Sequence, residues 1–195
     1  MWTEDWPRVS ALDARINDLM DRLAGAREDQ VLRAGVLEEY LALARAHQDT
    51  DEWFDVAAYG EELADVYLAL GQVDDAVRTV RDVTAEGYGE GAVMLCELAE
   101  KLMRTGHEAQ ARPLWAQAHN DYPSDVWVYV QAGIEYADLG DHTTALGWLT
   151  GGLELALRTG DPESAIEQLY PLRATALAAL GQEPDRLQHQ AAKQA

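Results

Sequence analysis

Three glycines, Gly71, Gly106 and Gly140, set a ruler along this chain. They stand 35 and 34 residues apart, and the residues around them repeat in phase. Four before each glycine comes Tyr67, Leu102 or Tyr136, and five after comes Ala76, Ala111 or Ala145. Seven before stand the small residues Ala64, Ala99 and Gly133; eight before stand Leu63, Leu98 and Ala132. Nine after come Val80, Trp115 and Leu149, and twelve after come Val83, Ala118 and Gly152. A period of this length marks stacked supersecondary units. Small residues at fixed places let two helix backbones approach closely, and large ones fill the remaining gaps. Each glycine supplies the positive φ that ends the first helix of a pair.

Hydrophobic spacing predicts helices over 8–24, 28–47, 52–70, 73–86, 92–105, 108–120, 125–139, 142–158 and 162–180, with a short polar cap from Pro184 onward. Val9, Leu12, Ile16, Leu19 and Leu23 form the apolar stripe of the first helix. In the second, Val31, Leu32, Val36, Leu37, Tyr40, Leu41 and Leu43 cover more than one face, so burial on two sides is expected. Glu28 and Asp29 stand near the positive end of the second helix's dipole, and the cluster Asp49-Thr50-Asp51, Ser124 and Gly160-Asp161-Pro162-Glu163 read as helix starts. Pro113 and Pro171 fall inside helices, where bends are expected. Gly181 follows Gly140 by 41 residues, so the period breaks near the end. The tail offers Leu187, Ala191 and Ala192 as contacts for capping the last unit.

With these positions the chain resembles a tetratricopeptide repeat (TPR) protein. Three consecutive units over residues 51–159 carry the pattern, and Pro123 closes the second of them. Gly60 and Leu95 stand where the family often has tryptophan, and Tyr88 and Leu157 where it has proline. The resemblance implies an all-α fold, a right-handed α-solenoid of about ten antiparallel-paired helices. Residues 1–195 would form one such array, with 1–50 and 160–195 as degenerate repeats or caps.

Composition narrows the partners. The net charge of −20 argues against nucleic acid and anionic membrane surfaces, whose phosphates would be repelled. No apolar run reaches the roughly 18 residues of a membrane span. The acidic start, Met1-Trp2-Thr3-Glu4-Asp5-Trp6-Pro7, lacks signal-peptide character, so a cytoplasmic location is expected. Cys96, the single cysteine, lies beside Glu97 and Glu100, which disfavour a thiolate, and it reads as a packing residue.

Catalytic and metal chemistry find little support. His47, His107, His119, His142 and His189 include no pair at the i, i+4 spacing that clamps a metal on one helix. The acid pairs Glu38-Glu39, Glu61-Glu62 and Asp74-Asp75 point about 100° apart on a helix and form no preset dyad. The loop Gly87-Tyr88-Gly89-Glu90-Gly91 lacks the Lys-Ser or Lys-Thr of a phosphate loop. Repeats and caps use almost the whole chain, so no enzyme, cofactor or metal is expected.

In the family that the chain resembles, the first helix of each pair lines a concave groove. Carried over by position, the groove residues would be Glu61 and Asp65, then Val93, Cys96, Glu97, Glu100, Met103 and Arg104, then Trp127, Val130, Gln131, Ile134 and Asp138. The lysine and asparagine clamp that some members close on a C-terminal carboxylate is absent, since Glu61, Asp65, Gln131 and Trp127 stand at those places. Residues 52–91 hold ten acids against Arg78 and Arg81, whereas Trp127, Val130 and Ile134 are apolar. Acid at one end and apolar surface at the other suit a basic, amphipathic protein segment. Self-association as a homodimer through Trp2, Trp6, Trp53 and Phe54 is the alternative; an enzyme is the remote one.

Overall fold

A helix that ends and reverses within a few residues must find partners for its last carbonyls. Gly71, Gly106 and Gly140 do this with φ values of 74°, 83° and 78°. After each, the next N–H donates back to the carbonyl four before the glycine. Gln72 donates to Tyr67 at 2.8 Å, His107 to Leu102 at 2.8 Å and Asp141 to Tyr136 at 2.9 Å. The glycine N–H closes a tighter loop, onto Leu68, Met103 and Ala137 respectively. This pair of bonds is the Schellman motif, and the three glycines occupy equivalent turns. Gln182, donating to Leu177 after Gly181, makes a further copy.

The structure, a computed structural model, describes residues 11–47, 54–161 and 163–193. Among them are ten helices and no strand. They are α1 (Ala11–Gly25), α2 (Gln30–Ala46), α3 (Val56–Ala69), α4 (Val73–Ala85), α5 (Gly91–Arg104), α6 (Glu108–Asp121), α7 (Val126–Asp138), α8 (His142–Thr159), α9 (Ile166–Ala179) and α10 (Arg186–Ala191). The fold is all-α and built from antiparallel helix pairs, since three residues join α3 to α4, α5 to α6 and α7 to α8. The chain divides into two compact units, Met1–Gly89 and Glu90–Ala195, at the glycine-rich connection.

In the first unit α1 packs on α2, α2 on α3 and α3 on α4. Arg22 reaches Glu39 at 2.7 Å and Arg15 pairs with the same carboxylate, which ties α1 to α2. Ala34, Val36, Leu37, Tyr40, Leu41 and Ala44 are buried, as the two-sided pattern of α2 requires. Val31 and Leu32 are not: they are 71% and 49% exposed at the start of that helix. Tyr40 stacks on Tyr59 at 4.2 Å and meets the edge of Phe54 at 5.5 Å. Phe54 is therefore half-buried in its own unit. Trp2, Trp6, Trp53 and the Asp49-Thr50-Asp51 cluster lie outside the described residues.

In the second unit α5 packs on α6 and α7, and α8 packs on α7 and α9. The repeating alanines Ala111 and Ala145 are fully buried, as are Leu102, Trp115 and Leu149. Gly133 marks a close approach of α7 to α8: a Cβ there would stand 2.5 Å from Leu149 of the facing helix. Any side chain at Gly133 would force α7 away from α8.

Three helix starts differ from expectation, two of them because a nearer side chain caps the N–H groups. Asp55 caps α3, accepting from Ala58, so that helix begins at Val56 and not near residue 52. Asp125, accepting from Trp127, caps α7 where Ser124 was expected. Helix α9 starts at Ile166, because Asp161 at φ 52° turns the chain and accepts from Ala165 at 2.7 Å and Ile166 at 3.2 Å. The tail is held less by apolar contact than expected. Arg173 on α9, 3% exposed, donates to Thr150 at 2.9 Å, Asp185 at 2.5 Å and Gln188 at 3.0 Å. Ala191 is buried beside this network and Ala192 is exposed.

Trp115 is fully buried and donates its indole N–H to the Met103 sulfur at 2.9 Å. Truncation to Ala leaves a large cavity, and Trp115→Ala is expected to cost roughly 3–5 kcal/mol. Chemical denaturation checks this; a midpoint equal to that of the parent protein would overturn the packing role.

Candidate interaction surface

Helices α5 and α7 lie side by side, and each presents one stripe at steps of four, three and four. Val93, Glu97, Glu100 and Arg104 run along α5; Trp127, Gln131, Ile134 and Asp138 run along α7. Each α7 residue stands 34 places after its α5 counterpart, the same interval as the turn glycines. Val93, Glu97, Arg104 and Asp138 are exposed, and Glu100, Trp127, Gln131 and Ile134 are half-buried. The undersides of Trp127 and Ile134 pack against the core formed by α8 and α9. Half of each side chain is thereby fixed, and the other half faces outward.

Three of the expected groove residues point elsewhere. Cys96, Met103 and Val130 are each 2% exposed. They sit one position off the stripe, which on a helix turns a side chain by about 100° toward the partner helix. Met103 serves Trp115, and Val130 joins the core with Leu149 and Leu153. Burial pushes the Cys96 thiol up to about 12, with smaller contributions from Asp125, Glu100 and Glu97. In the first unit, Glu61 is half-buried and Asp65 exposed, both on α3.

A residue that sequence reasoning passed over organises the end of the stripe. Glu135 on α7 is only 4% exposed, yet it carries a carboxylate. Arg104 donates to it at 2.9 Å and pairs with Glu100 at 2.5 Å. Burial raises the Glu135 pKa, and the Arg104 hydrogen bond and charge pull it back only in part. One guanidinium thus serves carboxylates on two helices, which fixes α5 against α7. The signal in the sequence was slight: Glu135 occupies a place on α7 that periodicity assigns to the interior.

Three carboxylates and one already paired guanidinium flank a fixed indole and an isoleucine. Among the described residues, no group of His, Cys, Asp and Glu is placed to hold a metal ion. None of the described helices is long and apolar enough to cross a membrane.

No family model matches the chain, and no curated protein does. Among solved structures, a crystal structure of MamA protein is similar over 91% of this chain and 86% of its own, at 16% identity with a TM-score of 0.48. A second, of MamA AMB-1, covers 91% of this chain and 90% of its own at 16% identity, with a TM-score of 0.43. At these values neither assigns an activity or a partner to this chain.

The raised pKa of Glu135 has a consequence for stability. The folded state holds this proton more tightly than the unfolded state, so the cost of ionising Glu135 grows as pH rises through its folded value. That cost is fully present at neutral pH and is relieved as pH falls toward the ordinary glutamate range, about 4.3. Glu135→Gln removes the ionisation and strands no buried charge, because Arg104 is largely exposed. Relative to the parent, Glu135→Gln is expected to gain stability between pH 4 and pH 7. Denaturant unfolding at the two pH values measures the difference; parallel pH curves would refute the assignment.

Proposed function

We propose that this chain is a non-enzymatic interaction module of the TPR type. On this reading, the α5–α7 surface holds a basic, amphipathic segment of a protein partner. The observation that carries the reading is the pairing of Trp127 and Ile134, half-exposed on a rigid base, with Glu97, Glu100 and Asp138 beside them. A preorganised indole is the kind of anchor that dominates peptide affinity, because it loses little freedom on binding. The carboxylates favour Lys or Arg at the segment's flank and steer its approach.

A titration with a Lys- and Leu-rich amphipathic peptide tests this, with rates followed by surface binding kinetics. Trp127→Ala is expected to weaken binding by roughly 1–2 kcal/mol, mainly through faster dissociation. Glu97→Lys combined with Asp138→Lys should slow association, and more so at low salt than at high salt. Binding that is unchanged by both sets would remove this surface from consideration.

A second reading, self-association, is favoured by Val31 and Leu32, two adjacent apolar side chains exposed on α2. Val31 lines a cleft of about 450 Å³ that also contains Tyr67, Asp75 and Arg78. Light scattering on the purified chain decides it. A dimer that becomes a monomer with Val31→Lys and Leu32→Lys would support this reading, and a monomeric parent protein would end it.

A further inference from the structure

Away from the α5–α7 stripes, the second unit has a cleft of about 530 Å³ bounded by α6, α7 and α8. Three rings line it. The His119 and Tyr129 centroids are 5.2 Å apart, those of His119 and Trp148 5.6 Å, and those of Tyr129 and Trp148 5.9 Å. The planes meet at 80°, 84° and 69°, so the rings stand nearly upright to one another and do not stack flat. The Tyr129 hydroxyl donates to the Pro123 carbonyl at 3.0 Å, which anchors its ring. On α8, Gly147 and Gly151 leave one wall smooth, and Gly147 has open space where a side chain would project.

The lining is unusual in this molecule for its lack of charge. Among the described residues, no Asp, Glu, Lys or Arg lines the cleft. A cation would find no carboxylate there, and an anion no lysine or arginine. Two donors in the lining, the Trp148 indole N–H and the Asn120 amide, make no hydrogen bond to the described residues and are not buried, so they are open to a ligand. The best complement is therefore uncharged, apolar on its flanks and rich in exposed carbonyl acceptors.

We infer that this cleft docks a proline-rich segment in the polyproline II conformation. Such a segment has no internal hydrogen bonds, so its carbonyls are available to the Trp148 and Asn120 donors. Its pyrrolidine rings carry no charge and fit between upright aromatic rings, a mode of recognition that costs little ordering entropy. The dimensions agree. From Thr144 to Gly151 the α8 wall runs about 10 Å at 1.5 Å per residue, which spans roughly one three-residue polyproline turn at 3.1 Å per residue. The site is independent of the α5–α7 surface, whose carboxylates select a basic segment.

The test uses the full chain and an oligoproline peptide of about ten residues, with a Gly/Ser peptide of equal length as control. Saturable movement of the Trp148 indole N–H resonance, identified by its loss in Trp148→Phe, is expected with oligoproline and not with the control. Trp148→Phe keeps the ring and removes the donor, and should weaken binding roughly threefold to tenfold. Gly147→Leu fills the open space and should abolish binding while the protein melts at or above the parent temperature, since glycine disfavours helix. Raising the salt concentration should leave the affinity unchanged, unlike that of a basic peptide. No binding of oligoproline, equal binding of the control, or binding indifferent to both substitutions would overturn the proposal. So would occupation of this cleft by the basic amphipathic peptide alone.

Discussion

Each helix pair in this chain depends on one backbone hydrogen bond, from the residue after the turn glycine to the carbonyl four before it. At 2.8, 2.8 and 2.9 Å the three bonds are near-identical, and they do two jobs together. They satisfy carbonyls that a terminating helix would otherwise leave bare. They also aim the next helix back along the first, so that Ala76, Ala111 and Ala145 arrive at the same buried place in each pair. A residue other than glycine would have to adopt φ near 75–85° there, a conformation that a Cβ penalises. The recurrence of glycine every 34 or 35 residues is thus a requirement of chain reversal.

Close approach then sets what the paired helices can contain. Gly133 leaves room for Leu149, and Gly60 leaves room for Val83. Where one helix is small the other is large, and the exchange continues through Trp115 against Met103. The same rigidity bears on function. An indole such as Trp127, held on one side by the core, keeps its outer half in a fixed place. The upright rings of His119, Tyr129 and Trp148 are held in the same manner by α6, α7 and α8. Two quite different surfaces, one acidic and one uncharged, therefore arise on a single small scaffold.

Buried charge is used sparingly and at joints. Arg104 links α5 to Glu135 on α7, and Arg173 links α8, α9 and α10 through Thr150, Asp185 and Gln188. In both cases one guanidinium, with several donors in a planar fork, satisfies groups from different helices at once. The two carboxylates respond oppositely. Burial dominates at Glu135 and raises its pKa, whereas the Arg173 hydrogen bond dominates at exposed Asp185 and lowers its own. The Glu135 joint is thus relieved by acid, and the Asp185 joint is weakened by it.

Much of this was legible in the sequence. The helices, their pairing and the turn positions followed from periodicity and glycine spacing, because those features are local and chain reversal has few solutions. The exposed stripe on α5 and α7 also followed, since its members recur at the repeat interval. What only the tertiary structure decided is which neighbours of that stripe turn inward. Cys96, Met103 and Val130 differ from the stripe by one helical step, and a rotation of that size depends on where the facing helix sits. The same holds for the caps at Asp55 and Asp125, where competing side chains a few residues apart were equally good by type. Glu135, Arg173 and the aromatic cleft were beyond sequence reading altogether. Their partners lie 10 to 31 residues away, and only packing brings a carboxylate, a guanidinium or a ring within reach of them.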